Sequence, residues 1–200
     1  MKRPSFRQQM LLAREQAIVA CVNRLLSEKG YDQMTVDEVA AEVGIAKASL
    51  YKHFPSKEAL AAAAMIHVLD RALGYVKNLL TEKRKPSEQL HKLVGWIMLQ
   101  SLEGEMPSLP AQNSALRETL GANRDYMDKL MELSEYLGNW ITSAQKAKEL
   151  NPKLPPEVVL YTLFARACDP VLQVLKMGGQ YSNEQICDYL LTTCFEGLRC

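Results

Sequence analysis

Between Thr35 and Phe54 the chain sets two short apolar stripes of helical spacing on either side of one glycine, and that arrangement leaves few folds open. Val36, Val39, Ala40 and Val43 form the first stripe. Thr35-Val-Asp-Glu38 opens it as a capping box, in which the Thr hydroxyl and the Glu carboxylate each satisfy a backbone N–H that a helix start leaves free. Gly44 stops it, supplying a turn conformation that a side chain would penalise. A second short helix is predicted over 46–53, with Ile45 and Leu50 turned to the core and Lys47, Ala48, Ser49 and Lys52 outward. Two short helices joined by a glycine turn inside a three-helix packing describe a helix-turn-helix. Small outward residues let such a helix approach the major groove of DNA, where basic and hydroxyl groups meet phosphates and base edges.

The rest of the chain is helical in period, without alternating β-branched runs, so the fold class is all-α. Leu11, Ile18, Cys21, Val22 and Leu25 share one face of a helix predicted to end at Gly30. Pro55-Ser56 starts a long Ala-rich helix that reaches Lys83-Arg84-Lys85, and Pro86 closes it. Five further helices are predicted: 87–102, 114–120, 123–149, one opened by Asn151 to Pro156 and reaching Met177, and a last one from Ser182-Asn-Glu-Gln185 to Leu198. Pro170 should kink the fourth of these.

Composition removes other classes. Three His and five scattered Cys offer no metal-finger spacing, so no metal or other cofactor is expected. The odd cysteine count favours a reducing compartment and hence the cytoplasm. The longest apolar run, Ala59 to Ile66, is far short of the ~18 residues of a membrane span, so no membrane is expected. No Ser-His-Asp order, paired carboxylate motif or phosphate-cradling glycine loop is present, and the chain reads as no enzyme. The net charge of +1 conceals a polarity. Residues 1–85 hold 14 Lys and Arg against 9 Asp and Glu, whereas residues 86–200 hold 10 against 14. The basic half carries the helix-turn-helix.

Gly30-Tyr31, the run Thr35-Val-x-x-Val-Ala-x-x-Val-Gly-Ile-Ala-Lys-Ala-Ser-Leu-Tyr-Lys-His-Phe54 and Pro55-Ser-Lys-Glu-x-Leu60 together resemble the N-terminal domain of TetR-type transcriptional repressors. The likeness covers roughly the first 60 residues. It implies a DNA-binding domain over 1–56, a connecting long helix over 57–85, and a larger helical domain over 86–200 that binds an effector and dimerises. Among the DNA contacts implied, Thr35 holds a phosphate and Lys47, Ala48 and Ser49 face the groove, with Lys47 placed for guanine. Tyr51 takes a phosphate, Lys52 and His53 flank it, and Lys57 touches the backbone from the next helix. Ala46 departs from the hydroxyl residue common in relatives and leaves a methyl contact with thymine.

The implied partners are a palindromic double-stranded operator, a second copy of the chain and a small-molecule effector. Trp96, Tyr126, Met127, Leu130, Phe164 and Cys168 are large or soft side chains suited to an apolar or aromatic effector. Tyr161, Val171, Leu175, Leu190 and Cys194 lie on helices apolar over more than one stripe, as a two-fold interface requires. The alternative is the same DNA-binding fold governed by a protein partner, with no small effector.

Overall fold

The computed structural model describes residues 5–107, 115–166 and 169–197, which form helices and no strand. In chain order these are α1 (Phe6–Gln33), α2 (Val36–Val43), α3 (Lys47–His53), α4 (Lys57–Thr81), α5 (Pro86–Leu102), α6 (Ala115–Ala122), α7 (Arg124–Lys146), α8 (Pro156–Arg166), α9 (Pro170–Gly178) and α10 (Asn183–Phe195). Packing divides them into two compact units, Met1–Val68 with Pro107–Met127, and Leu69–Met106 with Asp128–Cys200.

The first unit is built around α1. Ile18, Val22, Leu25 and Leu26 of that helix are buried with Met34, Val39, Ala40, Leu50, Leu60 and Met65 in one continuous apolar core. Leu116 and Leu120 of α6 belong to the same core. Leu11, expected on the buried stripe of α1, is instead exposed, because the first turns of the helix run past the core it serves. The helix breaks at Gly30 as predicted, where φ is 76° and ψ 174°, and a short further turn runs from there to Gln33 before Met34.

The glycine turn forms as predicted. Gly44 takes the left-handed conformation, φ 71° and ψ 35°, and its N–H reaches the carbonyls of Ala40 and Ala41. Ile45 N–H then donates to the Ala40 carbonyl at 3.0 Å, which turns the chain directly into α3.

In the second unit α5 is buried on several sides, through Leu90, Leu93, Val94, Ile97, Met98 and Leu102. α10 lies against it with Ile186, Cys187, Leu190 and Leu191, and at Gly95 a Cβ would stand only 3.0 Å from Leu191 Cδ1. α7 adds Leu133, Leu137, Trp140 and Ile141, α8 adds Leu163 and α9 adds Leu172. Pro170 does not kink a continuous helix. It opens α9 as the first residue, with Asp169 as N-cap accepting from the Val171 N–H at 3.0 Å. A proline fits that position because its missing N–H would have had no partner there. The stretch read as one helix from 156 is therefore two, and six helices follow Thr81 among the described residues.

Among the described residues, α4 is long and apolar enough to cross a membrane by length and composition, and just over half of its apolar window is buried inside the protein, as in a core helix. Burial pushes the Cys21 and Cys187 thiols up to about 11, which marks them as packing groups rather than nucleophiles.

Two alanine substitutions should separate the glycines. Gly44→Ala forces a side chain into the left-handed region and should cost about 1–2 kcal/mol, although nothing crowds the added methyl. Gly74→Ala, inside α4 with open space around it, should gain about 0.5–1 kcal/mol. Urea denaturation followed by helix content should show midpoints moving in opposite directions.

Candidate nucleic-acid interface

The interface is assembled from α2 and α3. Thr35 caps α2 as read: its Oγ1 accepts from the Glu38 N–H at 3.2 Å, and Glu38 Oε2 accepts from the Thr35 N–H at 2.9 Å. The Thr35 hydroxyl also donates to Glu38 Oε2. An acidic side chain at a helix start is favourable for the helix and unfavourable for an approaching phosphate. Lys29, from the last turns of α1, answers that charge with Nζ 2.7 Å from Glu38 Oε1. Lys29 first and Thr35 second draw the Glu38 carboxyl from 4.5 down to about 2.

Successive residues of α3 are rotated by ~100°, so Lys47, Ala48, Tyr51 and Lys52 share one side and Ser49, Leu50 and His53 the other. Burial follows that division. Lys47, Ala48, Tyr51 and Lys52 are exposed, Ser49 is half-buried and Leu50 is fully buried. Ala46 is the N-cap and gives α3 no side-chain cap, so its methyl is left exposed at the end of that face. His53 turns inward. Its side chain is 9% exposed, with Nδ1 3.2 Å from Glu15 Oε1 on α1. It ties the end of α3 to α1 and stands apart from the exposed face.

Lys57 is also held from within the unit. Its ammonium lies 4.5 Å from the centre of the Tyr31 ring and donates to the Asp32 carbonyl at 3.2 Å. Tyr31 donates in turn to Glu58 Oε1 at 2.6 Å, and burial followed by that carboxylate raises the phenol well above its ordinary value. The sequence pattern did not disclose a second partner. Asp37, on the first turn of α2, holds the Lys47 ammonium with both carboxylate oxygens, at 2.8 and 2.9 Å. The pair is ten residues apart across the glycine turn, a spacing that becomes a contact only once Gly44 folds α3 back beside α2.

The effector candidates fall in different places. Tyr126 packs against the core of the first unit and Met127 closes that unit, whereas Trp96, Leu130 and Phe164 lie in the second. Cys168 lies outside the described residues. Trp96 stacks on Tyr75 with ring centres 5.0 Å apart, and the Arg71 guanidinium sits 5.9 Å from its ring. The first unit has an open groove of about 460 Å³ along Phe54, Ala59, Ala62, Ile66 and Thr119. The second has one of about 440 Å³ along Arg84, His91, Lys92, Glu149 and Phe195. Neither is lined by a named effector candidate.

Of the interface candidates, Tyr161 and Val171 are exposed, Leu175 and Cys194 half-buried and Leu190 buried. Val158, Val174 and Met177 are exposed around them, which leaves α8 and α9 with a broad uncovered apolar surface.

A three-helix core that presents the second short helix outward, with lysines and a tyrosine on its free face, has the arrangement of a helix-turn-helix. Residues 20–64 match the family model described as bacterial regulatory proteins, tetR family. The helix-turn-helix-type transcriptional regulator YerO of Bacillus subtilis is 33% identical over 84 residues, covering 41% of this chain and 29% of its own. The chain thus spans about a third of the length of the curated relatives it matches. Likeness to solved structures runs along nearly the whole chain. The regulator FadR from Bacillus subtilis, solved in complex with stearoyl-CoA, gives a TM-score of 0.69 at 16% identity, covering 92% of this chain and 99% of that one. AibR, solved with isovaleryl coenzyme A and operator DNA, gives 0.66 at 22%, covering 91% and 98%. At these identities the likeness establishes the fold.

Glu38→Gln keeps a capping amide and removes the charge that Lys29 answers. Because the folded carboxyl titrates lower than the unfolded one, the stabilisation is complete above about pH 4.5 and is lost as pH falls through about 2. The variant should therefore melt below the parent at neutral pH, with the gap closing toward pH 2. Thermal melts across that range would show it, and a gap that stayed constant would assign the loss to capping alone.

Proposed function

We propose that the chain is a sequence-specific transcriptional regulator, acting as a repressor that a small effector releases from a palindromic operator. The observation that carries the reading is the exposed face of α3, where Lys47, Ala48, Tyr51 and Lys52 stand together while Leu50 fixes the helix from behind. Lys47 is assigned to a guanine edge, Tyr51 and Lys52 to flanking phosphates, and Thr35 to a phosphate at the start of α2. Ala46 and Ala48 supply close apolar approach, and Ser49 a hydroxyl at the edge of the face. His53 and Lys57 are assigned to holding α3 and the start of α4 against α1. The protein is taken to act in the cytoplasm, where its operator is, and without catalysis.

The effector class to try first is a thioester of coenzyme A, because FadR and AibR, which share the fold along nearly the whole chain, were solved with such ligands. That class extends the apolar effector expected from Trp96 and Phe164 by an anionic head. The test starts from duplexes selected out of a random pool by the purified protein, read by mobility shift. Lys47→Ala and Tyr51→Phe should each weaken binding roughly tenfold, and the affinity of the parent should fall steeply with salt. Acyl-CoAs of increasing chain length should release the DNA in a length-dependent way. Unchanged affinity in both variants would end the α3 assignment, and indifference to every acyl-CoA would favour control by a protein partner.

A second copy is proposed to cover the exposed face of α8 and α9, with half-sites one DNA turn, ~34 Å, apart. Tyr161 is 69%, Val174 67% and Met177 86% exposed, values that suit an interface more than a solvated surface. Sedimentation should find a dimer at micromolar concentration, and Val174→Asp with Met177→Asp should shift it to monomer while helix content is retained. A parent protein that sediments as a monomer would overturn the pairing.

A further inference from the structure

Asp37 stands beside the exposed α3 face, takes neither of the two capping roles in the run Thr35-Val-Asp-Glu38, and holds Lys47 through both oxygens. We infer that Asp37 determines specificity, keeping the Lys47 ammonium from the phosphate backbone and releasing it to a base edge that completes the pair. The inference rests on the reading of α3 as the groove helix.

Binding to random DNA is largely ion exchange, in which each free lysine neutralises a phosphate and releases a counterion. A lysine on a four-carbon stem, left alone, would swing to whichever phosphate is nearest. Lys47 is not left alone. Whether or not one ammonium proton stays on Asp37, taking a phosphate brings the Asp37 carboxylate up against that phosphate as a like charge. The contribution of Lys47 to random binding is cancelled in this way.

A guanine edge makes a different demand. It offers O6 and N7 as acceptors, and an ammonium has three donors, so Lys47 can meet the base while one proton stays on Asp37. In the same base pair cytosine N4 offers a donor that a carboxylate can accept. Lysine and aspartate together therefore match a G·C pair in hydrogen-bond sense, whereas a phosphate matches only the lysine. The pair is open to exchange, because the Lys47 and Asp37 side chains are 48% and 71% exposed and an ion pair so solvated is weak. Asp37 also raises the Lys47 pKa, so the ammonium remains charged throughout.

The experiment uses the full-length chain, a labelled random-sequence duplex and a duplex selected by the parent protein, each titrated over a range of salt. Asp37→Asn should tighten random-sequence binding about threefold to fivefold, from the loss of one weak pair. It should also steepen the logarithmic salt dependence by about one, for the one lysine set free. Affinity for the selected duplex should change less, so the ratio of selected to random binding falls. In a Lys47→Ala background the same substitution should leave that ratio unchanged, which distinguishes action through Lys47 from general charge. Equal tightening on both duplexes, or no change on either, would overturn the inference. Failure of the parent protein itself to bind any duplex would instead remove the DNA-binding reading beneath it. Far-ultraviolet circular dichroism of each variant checks that α2 remains formed.

Discussion

Burial of Leu50 is the constraint on which the rest of the first unit depends. A helix as short as α3 has no stability of its own in water, since the cost of its first turn is spread over too few hydrogen bonds. It exists because one side chain is removed completely from solvent between α1, α2 and the start of α4. Anchoring by a single buried leucine leaves the opposite side of the helix free of packing duties. Lys47, Ala48, Tyr51 and Lys52 occupy that side, and all four are exposed. Buried and exposed side chains are divided between two faces of seven residues.

The charges of this unit are less free than its composition implies. Lys29 is committed to Glu38, Lys47 to Asp37 and Arg24 to Glu28 and Glu42. Lys57 rests on Tyr31. Exposed pairs of this kind add little to stability, and their attraction is screened by salt. Their effect is on direction, because each fixes where a long flexible side chain points before any partner arrives.

What the sequence disclosed was local. The capping box at Thr35 and the glycine at 44 act through neighbours a few residues away, so residue type alone announced both. The same holds for Lys47, Ala48 and Lys52 on the outward side of α3, since a seven-residue helix has only one way to bury Leu50. Ser49, also read as outward, instead turns with Leu50 and is half-buried. What the sequence withheld was contact at a distance. Nothing in the spacing of Leu116 and Leu120 says that α6 joins the core of the first unit, and nothing in the apolar run of α1 says that Leu11 lies past the end of that core. Pro170 was legible as a disturbance but not as a beginning, because its role depends on Asp169 supplying the cap. The inward turn of His53 had no signal either, since Glu15 is 38 residues away in the chain.

The placement of the aromatic residues has a practical consequence. The chain has two tryptophans, Trp96 on α5 and Trp140 on α7, and both belong to the second unit. The first unit carries tyrosines and phenylalanines only. Tryptophan emission is therefore a private reporter of the second unit, while circular dichroism sums the helices of both. With Trp96 stacked on Tyr75 beside the Arg71 guanidinium, its emission responds to disturbance of that stack. One unlabelled sample can thus show whether the two units lose their structure in a single step or in turn, and whether a small molecule is sensed in the second unit before any DNA is added.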